Sequence, residues 1–256
     1  MIKLLELLEK SSKNKKAIIF AGPVAAGKTT IIKQYVPVDF QKYVLNSDNH
    51  FEKIMGTKMD QDKFSPEELS NTAKAMQSSI KQIRLDLSNS IKQGVPIIID
   101  ATGGSIRKTV EKKEALEGAG YDVMMVMIYT SPLATLKRNS ERDRKLKSFI
   151  VLQNWKSVVS NIKEYMSIFG KNNFVVVNAD KDDDIKSFSA DEADKYFRSN
   201  IKYKQLSPEA EQELESGINR LIQDCEKLPF LAFDELDTRI KNFLIPIDDA
   251  DIEQQQ

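Results

Sequence analysis

The sequence predicts an α/β fold built on a parallel five-stranded sheet, on three observations. Five short apolar runs, at 17–21, 43–46, 96–100, 122–129 and 174–178, have the length and unbroken character of strands buried on both faces. Helical stretches separate them, at 28–35, 66–93, 106–118, 133–147 and 151–169. The first run, AIIFA, breaks into a small-residue loop that leads directly into a helix. Such alternation gives a three-layer sandwich with helices on both faces of the sheet, and ligands then sit beyond the carboxyl ends of the strands.

The opening stretch, MIKLLELLEKSSKNKK, mixes Glu and Lys into an amphipathic pattern, where a signal peptide would need an uninterrupted apolar run. A short helix over 2–10, lying on the domain, is expected there. After the first strand, Gly22-Pro-Val24-Ala25-Ala26-Gly27-Lys28-Thr29 satisfies G-x-x-x-x-G-K-S/T at every defined position, the pattern of a phosphate-binding loop. Small residues let the backbone N–H groups of Val24, Ala25, Ala26 and Gly27 turn inward on a polyphosphate. The helix beginning near Lys28, with Thr29 and Thr30 in its first turn, adds its positive end. Lys28 is placed to reach the β- and γ-phosphates, and Thr29 offers a hydroxyl to Mg²⁺. A ligand-free strand-to-helix turn is the competing reading, and the complete match in the right context weighs against it.

The second strand ends in YVLNSDNHF, which places Asp48 on the edge where the phosphate loop opens. A carboxylate there can accept the proton of a substrate hydroxyl, although an aspartate after a strand also serves as a loop cap. Asn46 and Asn49 beside it are candidate substrate contacts or turn-shaping residues. His50, the single histidine, reads as a loop or partner contact. The next helix carries a full start signal, Ser65-Pro66-Glu67-Glu68, and stops at Gly94-Val-Pro96. The third strand, PIIIDAT, is four apolar positions followed by Asp100, the pattern of an acid that helps hold Mg²⁺. Ala101 stands where ATP-hydrolysing motors carry a second acid to polarise water, and the guanine-reading order Asn-Lys-x-Asp is missing from 178–182. A substrate hydroxyl facing Asp48 is therefore a better acceptor than water. After the fourth strand, Ser131-Pro132 starts a helix that carries Arg138 and Arg142 four apart on one face, with Arg144 and Lys145 continuing the cationic run into a lid. Glu141 and Asp143 offer the alternative of a solvated, internally paired face. From about residue 200 the segments SPEAEQELESGINRLIQDCEKL and FDELDTRIKNFL read as two further helices, followed by a frayed polar tail.

Composition sets the remaining bounds. The 256 residues favour one main domain with an appendage, divided as an N-terminal helix (1–14), a core domain (15–200) and a helical C-terminal extension (201–256). Lys+Arg and Asp+Glu balance at 38 each, so no whole-molecule basic field draws the chain to nucleic acid. One cysteine and one histidine leave neither an internal disulfide nor the ligand clusters of a zinc site, and point to the reducing cytoplasm. No apolar run approaches membrane-spanning length.

Four motifs together, GPVAAGKTT, VLNSDNHF, IIIDATGG and LKRNSERDR, resemble the P-loop kinases that include bacteriophage polynucleotide 5′-kinases and zeta toxins, over roughly residues 15–180. The resemblance implies a kinase-type P-loop NTPase sandwich that uses ATP and Mg²⁺. By position it implies Asp48 as general base, Lys28 and Thr29 on phosphate and metal, Asp100 on the metal, and Arg138 on the donor phosphates with Arg142 or Arg144 as a second cation. Thr102, Gly103, Gly104 and Ser105 would then lie against the acceptor, with Arg107 in reach of it. Asn49-His50-Phe51 follow the base where relatives carry further charged residues, so the acceptor is not inherited: a nucleic-acid end, a nucleotide and a nucleotide sugar all stand. The other class of reading is a nucleotide-binding module for regulation or assembly. Its partner surface would be the C-terminal helices, around the apolar cluster Leu228, Phe230, Leu231 and Phe233, a cluster that more commonly packs on its own domain.

Overall fold

A computed structural model of the chain describes residues 15–56, 59–60, 64–180 and 208–245. The expected helix over 2–10, most of the acidic run and the C-terminal tail lie outside these residues. In chain order the elements are β1 (Lys16–Ala21), α1 (Lys28–Tyr35), α2 (Val38–Gln41), β2 (Val44–Asn46), α3 (Ser47–Met55), β3 (Met59–Asp60), α4 (Pro66–Gln93), β4 (Ile97–Asp100), α5 (Ile106–Gly118), β5 (Asp122–Tyr129), α6 (Pro132–Glu141), β6 (Arg144–Lys145), α7 (Ser148–Val159), α8 (Ile162–Asn173), β7 (Phe174–Asn178), α9 (Pro208–Cys225) and α10 (Phe233–Leu244).

The main sheet is parallel, with strand order β2-β4-β1-β5-β7. The first strand thus lies at the centre, and the order reverses around it, which opens a crevice at its carboxyl end. Alternation along β1 divides the core. Ala17, Ile19 and Ala21 face α5, α7 and α8, while Ile18 and Phe20 face α1 and α10. All five are essentially sealed from solvent, each large one stabilising by roughly 1.5–3 kcal/mol. Helix α4 starts with the anticipated capping box, Ser65 and Glu68 each bonding the other's backbone.

Four expectations are corrected. The helix expected over 133–147 stops at Glu141, because Arg142 turns extended (φ −78°, ψ 151°) and Arg144–Lys145 pairs with Met59–Asp60 in a separate two-stranded parallel sheet. Arg138 and Arg142 therefore do not share a helix face. The helix expected over 151–169 is two helices, α7 and α8, and Gly170 at φ 72° kinks the second. Asp48 lies within the first turn of α3 and not in a loop.

The two C-terminal helices form where expected, but they are built into the core. Leu236, Ile240 and Leu244 of α10 are buried against the sheet, and Ile218 and Ile222 of α9 join the opposite core. Leu231 donates its N–H to Val176 O at 2.8 Å, Phe230 forms a parallel bridge with Val176, and its ring packs on Tyr129 at 5.4 Å. Of the apolar cluster considered as a partner surface, Phe230 and Leu231 thus cover part of the edge of β7, while Phe233 stacks on Tyr35 of α1 at 5.6 Å. No helix among the described residues is long and apolar enough to cross a membrane.

Candidate active site

The phosphate loop, Asp48 and Asp100 all lie at the carboxyl edge of the main sheet. The loop after β1 is held there by close packing: a Cβ on Gly22 would fall 2.6 Å from Ile128 O, so only glycine lets the chain pass β5. Gly22 N–H donates to Thr102 O at 3.1 Å, and Ala26 N–H to Pro23 O at 3.2 Å. Ala25 and Gly27 have positive φ, 61° and 86°, a conformation that turns successive amides into one concavity. Among the described residues the Ala25 and Gly27 amides have no hydrogen-bond acceptor within the protein. The concavity thus fits an anion. Val24 is different, since its N–H already donates to Asn154 Oδ1 at 2.9 Å.

Lys28 folds back over this loop, donating to Gly22 O at 2.9 Å and Pro23 O at 2.8 Å. Burial pushes its pKa down; the carboxylates of Asp100 and Asp48 oppose this, and Arg142 adds to it. Beside it Thr29 Oγ1 donates to Asp100 Oδ2 at 3.3 Å, and Asn46 Nδ2 donates to the same oxygen at 2.9 Å. Burial pushes the Asp100 carboxyl up, with Lys28 opposing and Asp48 reinforcing. A hydroxyl and a carboxylate side by side under a phosphate concavity suit a hard, water-carrying cation such as Mg²⁺. They do not form a cage, and no group of three or more His, Cys, Asp or Glu able to hold a metal exists among the described residues.

Asn46 also caps α3, accepting from Asp48 N–H at 2.7 Å. One side chain therefore links the acid at the end of β4 to the aspartate that follows β2. Asp48 Oδ1 accepts from Arg144 Nη1 at 2.8 Å, and the Arg144 guanidinium lies 4.2 Å over the ring of Phe51, which is completely buried. Arg144 thus faces Asp48. Arg142, two residues before it, is close enough for its charge to be felt at both Lys28 and Asp100. Arg138 bonds Thr130 Oγ1 at 3.3 Å and Ala179 O at 2.7 Å, at the ends of β5 and β7.

The expected acceptor contacts are more scattered. Asn49 and Thr102 are exposed, and Arg107 pairs with Glu111 on the open face of α5 at 2.7 Å. Thr30 is exposed in the first turn of α1. Gly103 is buried, and its carbonyl accepts from Tyr165 Oη at 2.8 Å and Asn161 Nδ2 at 3.2 Å. His50 pairs with Asp86 of α4 at 2.8 Å and ties α3 down. Residues not anticipated from sequence are Asn154, Ser157, Asn161 and Tyr165, which brace the phosphate loop and the Gly103–Gly104 turn from α7 and α8. Asn154 and Ser157 lie in SFIVLQNWKSVV among other polar residues, so no local signal singled them out.

A family model described as an AAA domain, AAA_33, matches residues 18–164, more than half of the chain. The chain belongs to the AAA_33 family. An AAA_33 domain of this construction is a P-loop kinase-like domain, here carrying its C-terminal helices as part of the core. Curated proteins give no sequence match. Among solved structures, the AvrRxo1-ORF1:AvrRxo1-ORF2 complex with sulphate ions aligns over 96% of this chain and 88% of that one at 16% identity, with a TM-score of 0.52. The same pair with ATP aligns over 96% and 88% at 15% identity and a TM-score of 0.47. The PezAT toxin–antitoxin system of Streptococcus pneumoniae aligns over 82% and 88% at 19% identity and a TM-score of 0.45. The first of these agrees with the P-loop NTPase-like fold of the AAA_33 chain.

Proposed function

We propose that this protein is an ATP- and Mg²⁺-dependent kinase that transfers the γ-phosphate to a hydroxyl group of a nucleic-acid end, a nucleotide or a nucleotide sugar. The observation that carries the reading is the chain of hydrogen bonds beside the phosphate loop, in which Thr29 and Asn46 both donate to Asp100 Oδ2 and Asn46 in turn accepts from Asp48 N–H. That chain joins the metal-side acid to the acceptor-side acid next to Lys28. Lys28, with the Ala25–Thr29 amides, would hold the donor phosphates, releasing the Gly22 and Pro23 carbonyls as it does so. Thr29 and Asp100 would hold Mg²⁺, which supplies charge neutralisation on the phosphates. Arg142 would neutralise charge on the transferred group, and Arg138 would act further out, at the ends of β5 and β7. The free oxygen of Asp48 would accept the hydroxyl proton of the acceptor. In a loose transition state most of the acceleration comes from positioning and charge, so these roles suffice. We assign the protein to the cytoplasm, in keeping with a single buried thiol.

The test is γ-labelled ATP offered with 5′-hydroxyl DNA and RNA oligonucleotides, nucleosides, mononucleotides and nucleotide sugars. Label should enter at least one acceptor; label passing only to water would overturn the reading. Asp48→Ala should bind ATP as the parent does and lose transfer by about a hundredfold or more. Normal transfer by that variant would remove Asp48 from the role of base. A polynucleotide acceptor would bind less tightly as salt rises, whereas a small acceptor would respond weakly.

A further inference from the structure

After bends at Arg142 and Asp143, the chain leaving α6 runs through β6 to residue 147 clipped on both sides. Met59 N–H donates to Asp143 O at 3.0 Å, and β3 and β6 pair Met59 with Arg144 and Asp60 with Lys145. From α6, Asn139 Nδ2 donates to Leu146 O at 2.8 Å, and Leu146 N–H donates to Asn139 Oδ1 at 3.2 Å. Arg142 and Asp143 bend the chain between α6 and β6, with Asp143 exposed and Arg144 buried.

The two arginines meet different groups. Arg144 has a side chain only 10% exposed, lies over Phe51, and spends Nη1 on Asp48 Oδ1. A guanidinium fixed by a backbone ladder, a ring face and a carboxylate is not free to follow a nucleotide. What it does fix is the carboxylate: with Oδ1 engaged, the rotation of Asp48 about its last bond is set, and Oδ2 has one direction to face. The backbone N–H of Asp48 bonds Asn46, so the residue is held from both ends.

We propose that Arg144 is a positioning residue for Asp48, aiming the carboxylate at the acceptor hydroxyl, and that it does not bind the donor phosphates. This rests on the reading of Asp48 as the base. It replaces the sequence-based expectation that Arg144 is a donor cation. It also makes β3–β6 the device that sets the base in register with Arg142 on the phosphate side.

The experiment compares Arg144→Met, which retains an apolar stem over Phe51, with Arg144→Lys, which retains the charge without the planar fork. Transfer is measured with γ-labelled ATP and whichever member of the acceptor panel turns over fastest; binding of the non-hydrolysable analogue AMP-PNP is measured separately by calorimetry. For Arg144→Met, kcat should fall by about tenfold to a hundredfold while the AMP-PNP Kd stays within about threefold. Arg144→Lys should recover part of kcat at an unchanged Kd. A Kd that weakens in step with kcat in either variant, or a kcat within threefold of the parent in both, overturns the proposal. If Arg144→Met does not fold, Arg144→Lys decides by the same rule, with kcat lowered several-fold at constant Kd as the supporting result. Asp48→Asn run alongside separates the two readings. If it keeps full transfer, the base assignment fails, whereas a dead Asp48→Asn beside a fully active Arg144→Met defeats only the role given to Arg144.

Discussion

Gly22→Ala isolates what the first glycine of the phosphate loop does. The new methyl carbon would lie 2.6 Å from Ile128 O and 3.2 Å from Ile128 Cβ, well inside the distance at which carbon and a carbonyl oxygen repel. Ile128 cannot yield, because β5 is paired on both sides, to β1 and to β7. The loop must move instead, by roughly half an ångström or more, and take with it the Gly22–Thr102 bond and the carbonyl that receives Lys28. Overpacking of this kind costs about 1–3 kcal/mol. In a domain of this size each kcal/mol lowers Tm by about 2–4 °C, so a drop of about 2–12 °C is expected by calorimetry. Displacement of the loop should also weaken AMP-PNP binding, since a shift of about 1 Å can cost a hundredfold at a positioned site. Gly27→Ala is the control, because nothing lies within 4 Å of its Cβ and its φ of 86° is the sole obstacle. Its cost should be the smaller, about 1–2 kcal/mol. A Gly22→Ala protein with the parent's Tm and the parent's affinity would refute the packing account.

Three further outcomes are expected. Because burial raises the Asp100 pKa in the folded state, its ionised form is a net cost at neutral pH: the carboxyl's contribution is fully present below its unfolded pKa and is lost as pH rises through the raised folded pKa. Asp100→Asn should therefore raise the Tm of the ligand-free protein near neutral pH, with the gain vanishing below about pH 4, and a lowered neutral Tm would count against this. Trp155→Phe removes the indole N–H that bonds Thr130 O at 2.7 Å in a fully buried site, and orphaning that carbonyl should cost about 1–3 kcal/mol in chemical denaturation, on top of the packing loss. Leu236→Ala should cost about 2–5 kcal/mol, as for any fully buried leucine, whereas an unaffected denaturation midpoint would mean that α10 is an appendage after all.

Strand identity and order of appearance were legible because buried parallel strands announce themselves as apolar runs, and β5 and β7 begin and end where the runs do. The phosphate loop, Asp48 and Asp100 were legible for a related reason: each sits within two residues of a strand's carboxyl end. What local pattern could not show is where distant segments meet. LKRNSERDRKLK is rich in good helix formers, and propensity alone continues the helix to 147. The segment instead pairs with Met59–Asp60, a contact far away in sequence that no periodicity encodes. Likewise the turn between α7 and α8 has neither proline nor glycine at Ser160-Asn161, and Asn161 spends its side chain on Gly103 O across the site. Nor could local pattern show that the Arg138 guanidinium meets the Thr130 hydroxyl and the Ala179 carbonyl, at the ends of β5 and β7.

The change of period in this one segment alters how the site works. On a helix, residues 138 and 142 would converge on one anion, as an i, i+4 pair does. With α6 ending at Glu141 and the chain bending at 142 and 143, Arg142 and Arg144 are placed separately and need not serve the same group. Arg142 reaches the field of Lys28 and Asp100, where phosphate would lie; Arg144 reaches Asp48, where the acceptor would lie. A single stretch of backbone, fixed by β3 on one side and Asn139 on the other, would thereby set the distance between the two ends of the proposed transfer. Charge on the phosphate side and orientation on the hydroxyl side would then be coupled, as a reaction governed by positioning requires.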